Sequence, residues 1–455
     1  MSEQGSVAII GGGYAGMAAA AELAARHQPL TIFEASRVLG GRARAVASQG
    51  DSGNFTLDNG QHILIGAYHE TLRLMRLVGA SPEHLLLRQN LHLEFPGALR
   101  LHAPRLPAPL HLLCALLAAR GLSISEKLAA LRFMQGMQAR KFQLPQDMTV
   151  QALLDDEQQP AQLCHYLWNP LCIAALNTPA ELASAQVFLN VLRDTLAAGR
   201  SASDLLLPRV DLGRLFPDAA ARFMLERSQN PAALRTACPV RRIDFHPDGS
   251  ADSDNPHNPH YTLHGTHGVL GHYDQIILAV APQHLTRLLP DHPGLASLRA
   301  MLSRFQYQPI LTGYLAYPPE VRLSQPMLGQ ATGLIQWLFD RGQLDSQHGL
   351  LAAVTSAAGH HLAHDHHHLA TRIHEEIAAL IPALPSPLWT RIITEKRATW
   401  SCTPGLERPT TRTALPGLLL AGDYVASDYP ATLESAIRSG VAAAALVSRT
   451  PSGTA

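Results

Sequence analysis

Glycines at positions 11, 13 and 16 follow directly on the apolar run Val7-Ala8-Ile9-Ile10, a spacing that lets a backbone cradle a diphosphate. Gly11 permits a tight turn, Gly13 lets amides approach the anion, and Gly16 lets the next helix pack on the strand. Tyr14, Ala15 and Gly16 lead into that helix, whose positive end and unpaired N–H groups face the same anion. A second apolar run, residues 30–33, ends at Glu34 and Ala35, where a carboxylate meets ribose hydroxyls. Gly40, Gly41 and Arg42 then supply further anion contacts. At the far end of the chain Gly422 and Asp423 close another apolar run, ahead of Thr432 and Leu433 at the start of an apolar helix.

Positioning these groups requires a buried parallel strand over residues 7–10, a small-residue helix over 17–26, and strands over 30–33 and 417–420. Gly40-Gly41-Arg42 comes too soon after Glu34 for an ordinary second crossover helix. The chain there covers the far half of a long dinucleotide. Asp423, after a strand, accepts hydrogen bonds from a polyol, and the start of the helix over 432–447 stabilises negative charge on a reduced flavin. Together these features predict FAD and not a nicotinamide cofactor, bound without a covalent link.

On these motifs the chain resembles the phytoene desaturase and amine oxidase superfamily of FAD enzymes. Residues 57–62 (LDNGQH), 169–177 (NPLCIAALN), 395–399 (EKRAT) and 429–436 (YPATLESA) further resemble the hydroxysqualene dehydroxylases, flavoproteins of bacterial hopanoid pathways. The resemblance covers essentially the whole chain. The flavin motifs specify only the superfamily, and the segments at Asn169 and Glu395 carry the narrower match. The resemblance implies an α/β fold: a discontinuous Rossmann-type FAD domain with an inserted α+β substrate domain, and the Val240 backbone beside the adenine. It also implies an apolar polyisoprenoid substrate, supplied by the upstream enzymes of squalene synthesis, and reductive conversion of hydroxysqualene to squalene. The chemistry would be loss of the protonated allylic hydroxyl as water, then hydride transfer from reduced flavin to the allylic cation. Three alternatives stand beside it. A carotenoid or phytoene desaturase runs hydride transfer the other way. An amine oxidase ranks lower because no aromatic cage is readable. A non-catalytic lipid-binding relative would have no need of Gly13, Gly41 and Asp423.

The 455 residues hold 36 Lys plus Arg and 36 Asp plus Glu, a balance that does not favour nucleic acid as a partner. Five scattered cysteines without CxxC spacing read as thiols in a reducing compartment and not as disulfides or metal ligands. No secretory leader is visible, and no apolar stretch reaches the roughly 20 residues a spanning helix needs. Residues 109–119, between Arg105 and Arg120, are long enough to lie in a membrane interface or to form a core helix. The expectation is a cytoplasmic protein with peripheral contact on the inner face of the cytoplasmic membrane.

Because the first and last motifs must touch one cofactor, the FAD domain is expected from residues 1–93, 211–290 and 407–455. The substrate domain would then comprise 94–210 and 291–406. Helices are expected over 125–141, 150–156, 184–198 and 369–380. Strands are expected over 239–243, 275–280, 309–317 and 333–339, with a polar turn over 252–259 and a hairpin over 261–273. A largely apolar cavity is expected between the domains, near the flavin.

Gly60 and His62 lie in the Asp58-Asn59-Gly60-Gln61-His62 stretch, expected beside the flavin ring. His62 could donate a hydrogen bond or proton there, or be a structural histidine bound to a turn carbonyl. Glu395 opens a charged triplet at the end of a strand-like run. Such a triplet is usually a solvated turn, but a carboxylic acid kept protonated in an apolar site could expel water from an alcohol. Asp194 is the alternative acid. The histidines at 360, 361, 364, 366, 367 and 368 read as a solvated segment and not as a metal site, since no partner spacing recurs elsewhere.

Overall fold

The computed structural model describes residues 6–47, 55–247 and 260–447. Its first sheet has five parallel strands in the order Leu234–Arg235, Leu30–Phe33, Val7–Ile10, Gln275–Leu278, Leu418–Leu420. Segments far apart in the chain therefore share one ladder. Val7–Ile10 is buried at every position, which is why its sequence is continuously apolar and does not alternate. One face of the sheet is covered by the helix Tyr14–Ala25, packed against Leu433–Leu446 and Pro217–Ser228. The run of alanines in the first helix allows a close approach. A Cβ added at Gly440 would overlap the Ala15 carbonyl.

The second sheet is antiparallel, in the order Met327–Gly329, Trp337–Asp340, Leu350–Ser356, Tyr307–Ala316, Trp389–Trp400. Leu311, Leu315 and Ile392 on one face pack against Leu369, Ile373 and Ile377 of the helix His366–Leu380. Burial of such a side chain contributes about 1.5–3 kcal/mol. Alternation puts Ile310, Thr312, Tyr314, Arg391, Ile393 and Glu395 on the opposite face, and the pairs Ile310–Glu395, Thr312–Ile393 and Tyr314–Arg391 lie directly across from one another. A largely helical insertion completes the fold, from Leu110–Ala118 through Ile124–Ala139, Val150–Asp156 and Asn169–Leu176 to Ala185–Leu192.

The structure departs from the expected elements where side chains or neighbouring strands compete for the backbone. The strand expected over 239–243 forms as Arg242–Phe245. Up to Cys238 the chain is still hydrogen-bonded to residues 34–36, so it joins the hairpin ladder only afterwards. The strand expected over 333–339 starts at Trp337, because the Glu376 carboxylate takes the N–H groups of Leu334 and Ile335. The helix expected over 184–198 is α-helical to Leu192 and continues as a π-helical turn, Arg193–Ala197. The strand expected over 275–280 ends at Leu278. The hairpin is present as Tyr261–Gly265 and Gly268–Tyr273. The expected turn over 252–259 lies outside the described residues.

Candidate active site

The turn between Val7–Ile10 and Tyr14–Ala25 shows why each of its glycines is there. Gly11 has φ +112°, and a Cβ on it would overlap the Ala279 carbonyl just past the neighbouring strand. A Cβ on Gly16 would overlap the Gly11 carbonyl, so helix and strand could not pack. Gly13 differs. The nearest atoms to an added Cβ are 3.8–4.0 Å away, all in the backbone of Gly40 and Gly41. Its requirement for glycine is therefore not imposed by the protein's own atoms.

Gly13 is the N-cap of the helix, with no side-chain cap and no acid in the first turn. The first-turn N–H groups of Tyr14, Ala15 and Gly16 thus keep the donor character that binds anions. The Tyr14 phenol itself points inward and donates to the Leu212 carbonyl at 2.8 Å, so only its backbone serves the turn. Glu34 ends the second strand with its carboxylate accepting from Gly12 N–H and Ser36 N–H, both at 2.7 Å. Ala35 beside it is exposed. Cys238 N–H donates to the Glu34 carbonyl and Ala237 N–H to that of Ser36, which brings the approach to Val240 alongside this acid.

Arg42 gathers the remaining motifs. Its guanidinium donates to Asp423 Oδ1 at 2.6 Å and to the Ala398 carbonyl at 2.6 Å. Burial works against the Arg42 charge, but Asp423 more than offsets it and the pKa is raised. Asn59 Nδ2 donates to the Arg42 carbonyl and to Glu395 Oε2, both at 3.1 Å. Gly41, Arg42, Asn59, Glu395 and Asp423 therefore form one junction. Residues 58–62 run along the face of the second sheet described above: Asp58 N–H on the Tyr314 hydroxyl, Gly60 beside Thr312, Asn59 on Glu395. Gly422 N–H donates to Ser439 Oγ at 2.6 Å, and Thr432 caps the last helix through Ser435 N–H at 3.1 Å, with Leu433 buried behind it.

The three proton-handling residues expected from the sequence fare differently. His62 is half-buried, and its Nδ1 is 2.8 Å from the Gly60 carbonyl. A carbonyl only accepts, so Nδ1 carries the hydrogen and Nε2 is left as an acceptor in the neutral ring. Burial pushes the imidazole below its usual range and the Arg42 charge adds to this, against the pull of the Gly60 carbonyl. Neutral His62 is thus suited to hold a hydrogen bond more than to supply a proton.

Glu395 is not at the end of its strand but inside Trp389–Trp400, with Lys396 and Arg397 exposed beside it. Its surroundings are also not the apolar enclosure expected. It is half-buried, and its oxygens accept from Asn59 Nδ2 and, at 3.3 Å, from Arg397 N–H. Asp194 stands apart, in the π-helical turn, taking hydrogen bonds from Arg193 Nε and the Tyr429 hydroxyl, both at 2.7 Å. Burial tends to raise its pKa, but these two donors hold it below the usual carboxylate range. Such donors favour the carboxylate over the carboxylic acid at Asp194.

Two features escaped the sequence. Asp58 is buried, accepts from Leu212 N–H at 2.9 Å, and lies 3.7 Å from the buried Arg341, which also pairs with Asp345. Burial pushes the Asp58 carboxyl up to about 7, against the Arg341 charge. Only its place beside Asn59 and Gly60 could have drawn attention to it. Asn177, which ends the helix Asn169–Leu176 with φ +47°, donates to Thr399 Oγ1 at 2.9 Å and accepts from Ala357 N–H at 2.7 Å. The segments at Asn169 and Glu395 are thereby in direct contact. The histidine-rich stretch is mostly exposed, with Asp365 capping the helix His366–Leu380. A cavity of about 600 Å³ lies elsewhere, lined by Arg88, His92, His102 and Arg105 among others.

The open space at Gly13, the uncapped helix start and the acid at Glu34 suit an adenine dinucleotide. Thr312, fully buried beside Gly60, has a hydroxyl with no hydrogen-bond partner among the described residues, as does Tyr424 next to Asp423. The family model described as flavin containing amine oxidoreductase matches residues 14–448. A hydroxysqualene dehydroxylase of Zymomonas mobilis subsp. mobilis is 28% identical over 449 residues, covering 96% of this chain and 98% of the relative. A zeta-carotene desaturase of Solanum lycopersicum is 22% identical over 494 residues, covering 97% and 80%. The crystal structure of an oxidoreductase from Methanosarcina mazei superposes with a TM-score of 0.71 at 14% identity, covering 96% of this chain and 99% of that one.

Proposed function

The chain belongs to the flavin-containing amine oxidoreductases, FAD-using enzymes, and on that premise we propose that it converts hydroxysqualene to squalene by reductive loss of the hydroxyl. The observation that carries this reading is similarity along nearly the full length to a hydroxysqualene dehydroxylase, 28% against 22% for the zeta-carotene desaturase. The contact between Asn177 and Thr399 supports it, because it joins the two segments that bear the narrower resemblance.

In this proposal Gly13 and the first turn of the helix Tyr14–Ala25 hold the diphosphate and Glu34 the ribose. Arg42 and Asp423 lock the two ends of the site together. Reduced FAD, when bound, supplies a hydride. Glu395 is the proposed proton donor to the substrate hydroxyl, with its Oε2 fixed by Asn59. The C–O bond then breaks, water leaves with the bonding electrons, and the allylic cation accepts the hydride at carbon. His62, neutral and fixed through Nδ1, orients whatever donor meets its Nε2.

The test is anaerobic incubation of the photoreduced protein with hydroxysqualene, phytoene or a primary amine, followed by product identification. Squalene formed together with flavin reoxidation is the expected result. Flavin that stays reduced with hydroxysqualene, but is reduced from the oxidised state by phytoene, would replace this reading with that of a desaturase.

A further inference from the structure

The helix Leu110–Ala118 contains no charged residue, and one of its faces is bare. Leu110, Leu113, Cys114 and Leu117 recur at helical spacing on that face, with Leu110 49% and Leu117 54% exposed. The opposite face, through His111, Ala115 and Leu116, is buried in the core. A helix half-exposed in this way ordinarily carries polar groups on its outer side.

The apolar surface extends beyond the helix. Leu106 lies in the exposed stretch before it, and Ile124 and Leu128, one turn apart on Ile124–Ala139, lie after it. Lys127, between those two, donates from Nζ to the Leu117 carbonyl at 2.8 Å, which brings the two helices' exposed residues side by side. Five of the ten strongly exposed large apolar side chains among the described residues fall within residues 106–128.

The rim of this patch is cationic. Residues 101–141 contain six Lys and Arg and a single acid, Glu126, in a chain of zero formal net charge. Glu126 is buried in the capping box with Ser123. Arg140 pairs with Glu157, while Arg105, Arg120, Lys127 and Arg132 have no salt bridge among the described residues. We propose that this face docks on an anionic phospholipid bilayer, its leucines in the headgroup–acyl boundary and its cations on the lipid phosphates. No helix among the described residues is long and apolar enough to cross the bilayer, so the contact is peripheral. A second copy of the chain fits less well. A twofold contact through this patch would set Arg105, Arg120 and Arg132 against like charges.

The proposal stands on this surface and not on the reaction above, and vesicle binding is measured without turnover. Flotation of the full chain should show capture by vesicles of phosphatidylcholine mixed with phosphatidylglycerol. Capture by phosphatidylcholine alone, or at high salt, should be about tenfold or more weaker, since each basic residue near an anionic surface contributes about fivefold. The double variant Leu110→Gln, Leu117→Gln should lose about tenfold or more in partitioning to the anionic vesicles with an unchanged melting temperature. Arg105→Gln with Arg120→Gln should reduce capture toward the level on neutral vesicles. Wild-type protein that floats with neither vesicle, or leucine variants that float as wild type does, would overturn the proposal. So would a wild-type dimer that the leucine substitutions dissociate, with no vesicle binding.

Discussion

Arg42 Nη2 and Asp423 Oδ1 lie 2.6 Å apart although they are 381 positions apart in the chain. The pair fastens the glycine-rich loop after the second strand to the turn after the last one, and the Arg42 guanidinium reaches on to the Ala398 carbonyl of the second sheet. Three segments from the two sheets thus meet at one cation, beside Glu395 and Asn59.

Arg42→Gln should leave Asp423, whose side chain is 6% exposed, without its counter-charge. The expected loss of stability is about 1–3 kcal/mol, less than for a fully buried pair because Arg42 keeps some solvent contact. Thermal melts combined with the ratio of flavin to protein absorbance measure it. Wild-type stability together with stoichiometric FAD would remove the pair from the site's framework.

Gly13 and Gly16 should separate cofactor binding from folding. Gly16→Ala drives its Cβ into the Gly11 carbonyl and should lower the melting temperature with or without flavin. The space at Gly13 is free of protein atoms to 3.8 Å, so Gly13→Ala should fold normally, whereas Gly13→Leu should fold and lose FAD. Circular dichroism and flavin content decide it. Stoichiometric FAD on Gly13→Leu would mean that the diphosphate lies elsewhere.

Glu395→Gln preserves shape and hydrogen-bonding reach but has no proton to give. Loss of a positioned general acid lowers the rate by about 100-fold to 10,000-fold. Single-turnover oxidation of photoreduced protein by hydroxysqualene should show this, with FAD binding retained. An unchanged rate would exclude Glu395 as the donor.

Asp58 gives a pH signature. Its folded pKa of about 7 lies above the usual carboxylate value, so the folded state holds this proton more tightly than the unfolded state does. Its contribution to stability is therefore lost as pH rises through the interval from about 4 to 7, and stays lost above it. Asp58→Asn keeps an acceptor for Leu212 N–H and removes the titration. The wild-type minus variant difference in stability should shift against the wild type by a few kcal/mol, on the order of magnitude of that pKa change, between pH 4 and 8. A difference that is flat with pH would show that Arg341 holds Asp58 ionised throughout.

The sequence by itself determined the strand–turn–helix unit of residues 7–25, the second strand, the last strand and its helix, and the resemblance that groups them. Those features are local. A turn that admits only glycine at positions 11 and 16, and a strand buried on both faces, write their requirements into adjacent residues. The tertiary structure alone decided what surrounds each proton-handling group. Asp194 gained Tyr429, 235 positions away, and Glu395 gained Asn59, 336 positions away. Asp58 acquired its raised pKa from burial, against the opposing charge of Arg341, a neighbour that no local pattern announces. The apolar run at 109–119 fitted a core helix and an interfacial helix equally, and only the packed fold placed His111 and Leu116 inside and Leu110 and Leu117 outside. Desolvation and charge act through space, so the acidity of a side chain and the exposure of a helix face depend on long-range contacts that spacing along the chain does not encode.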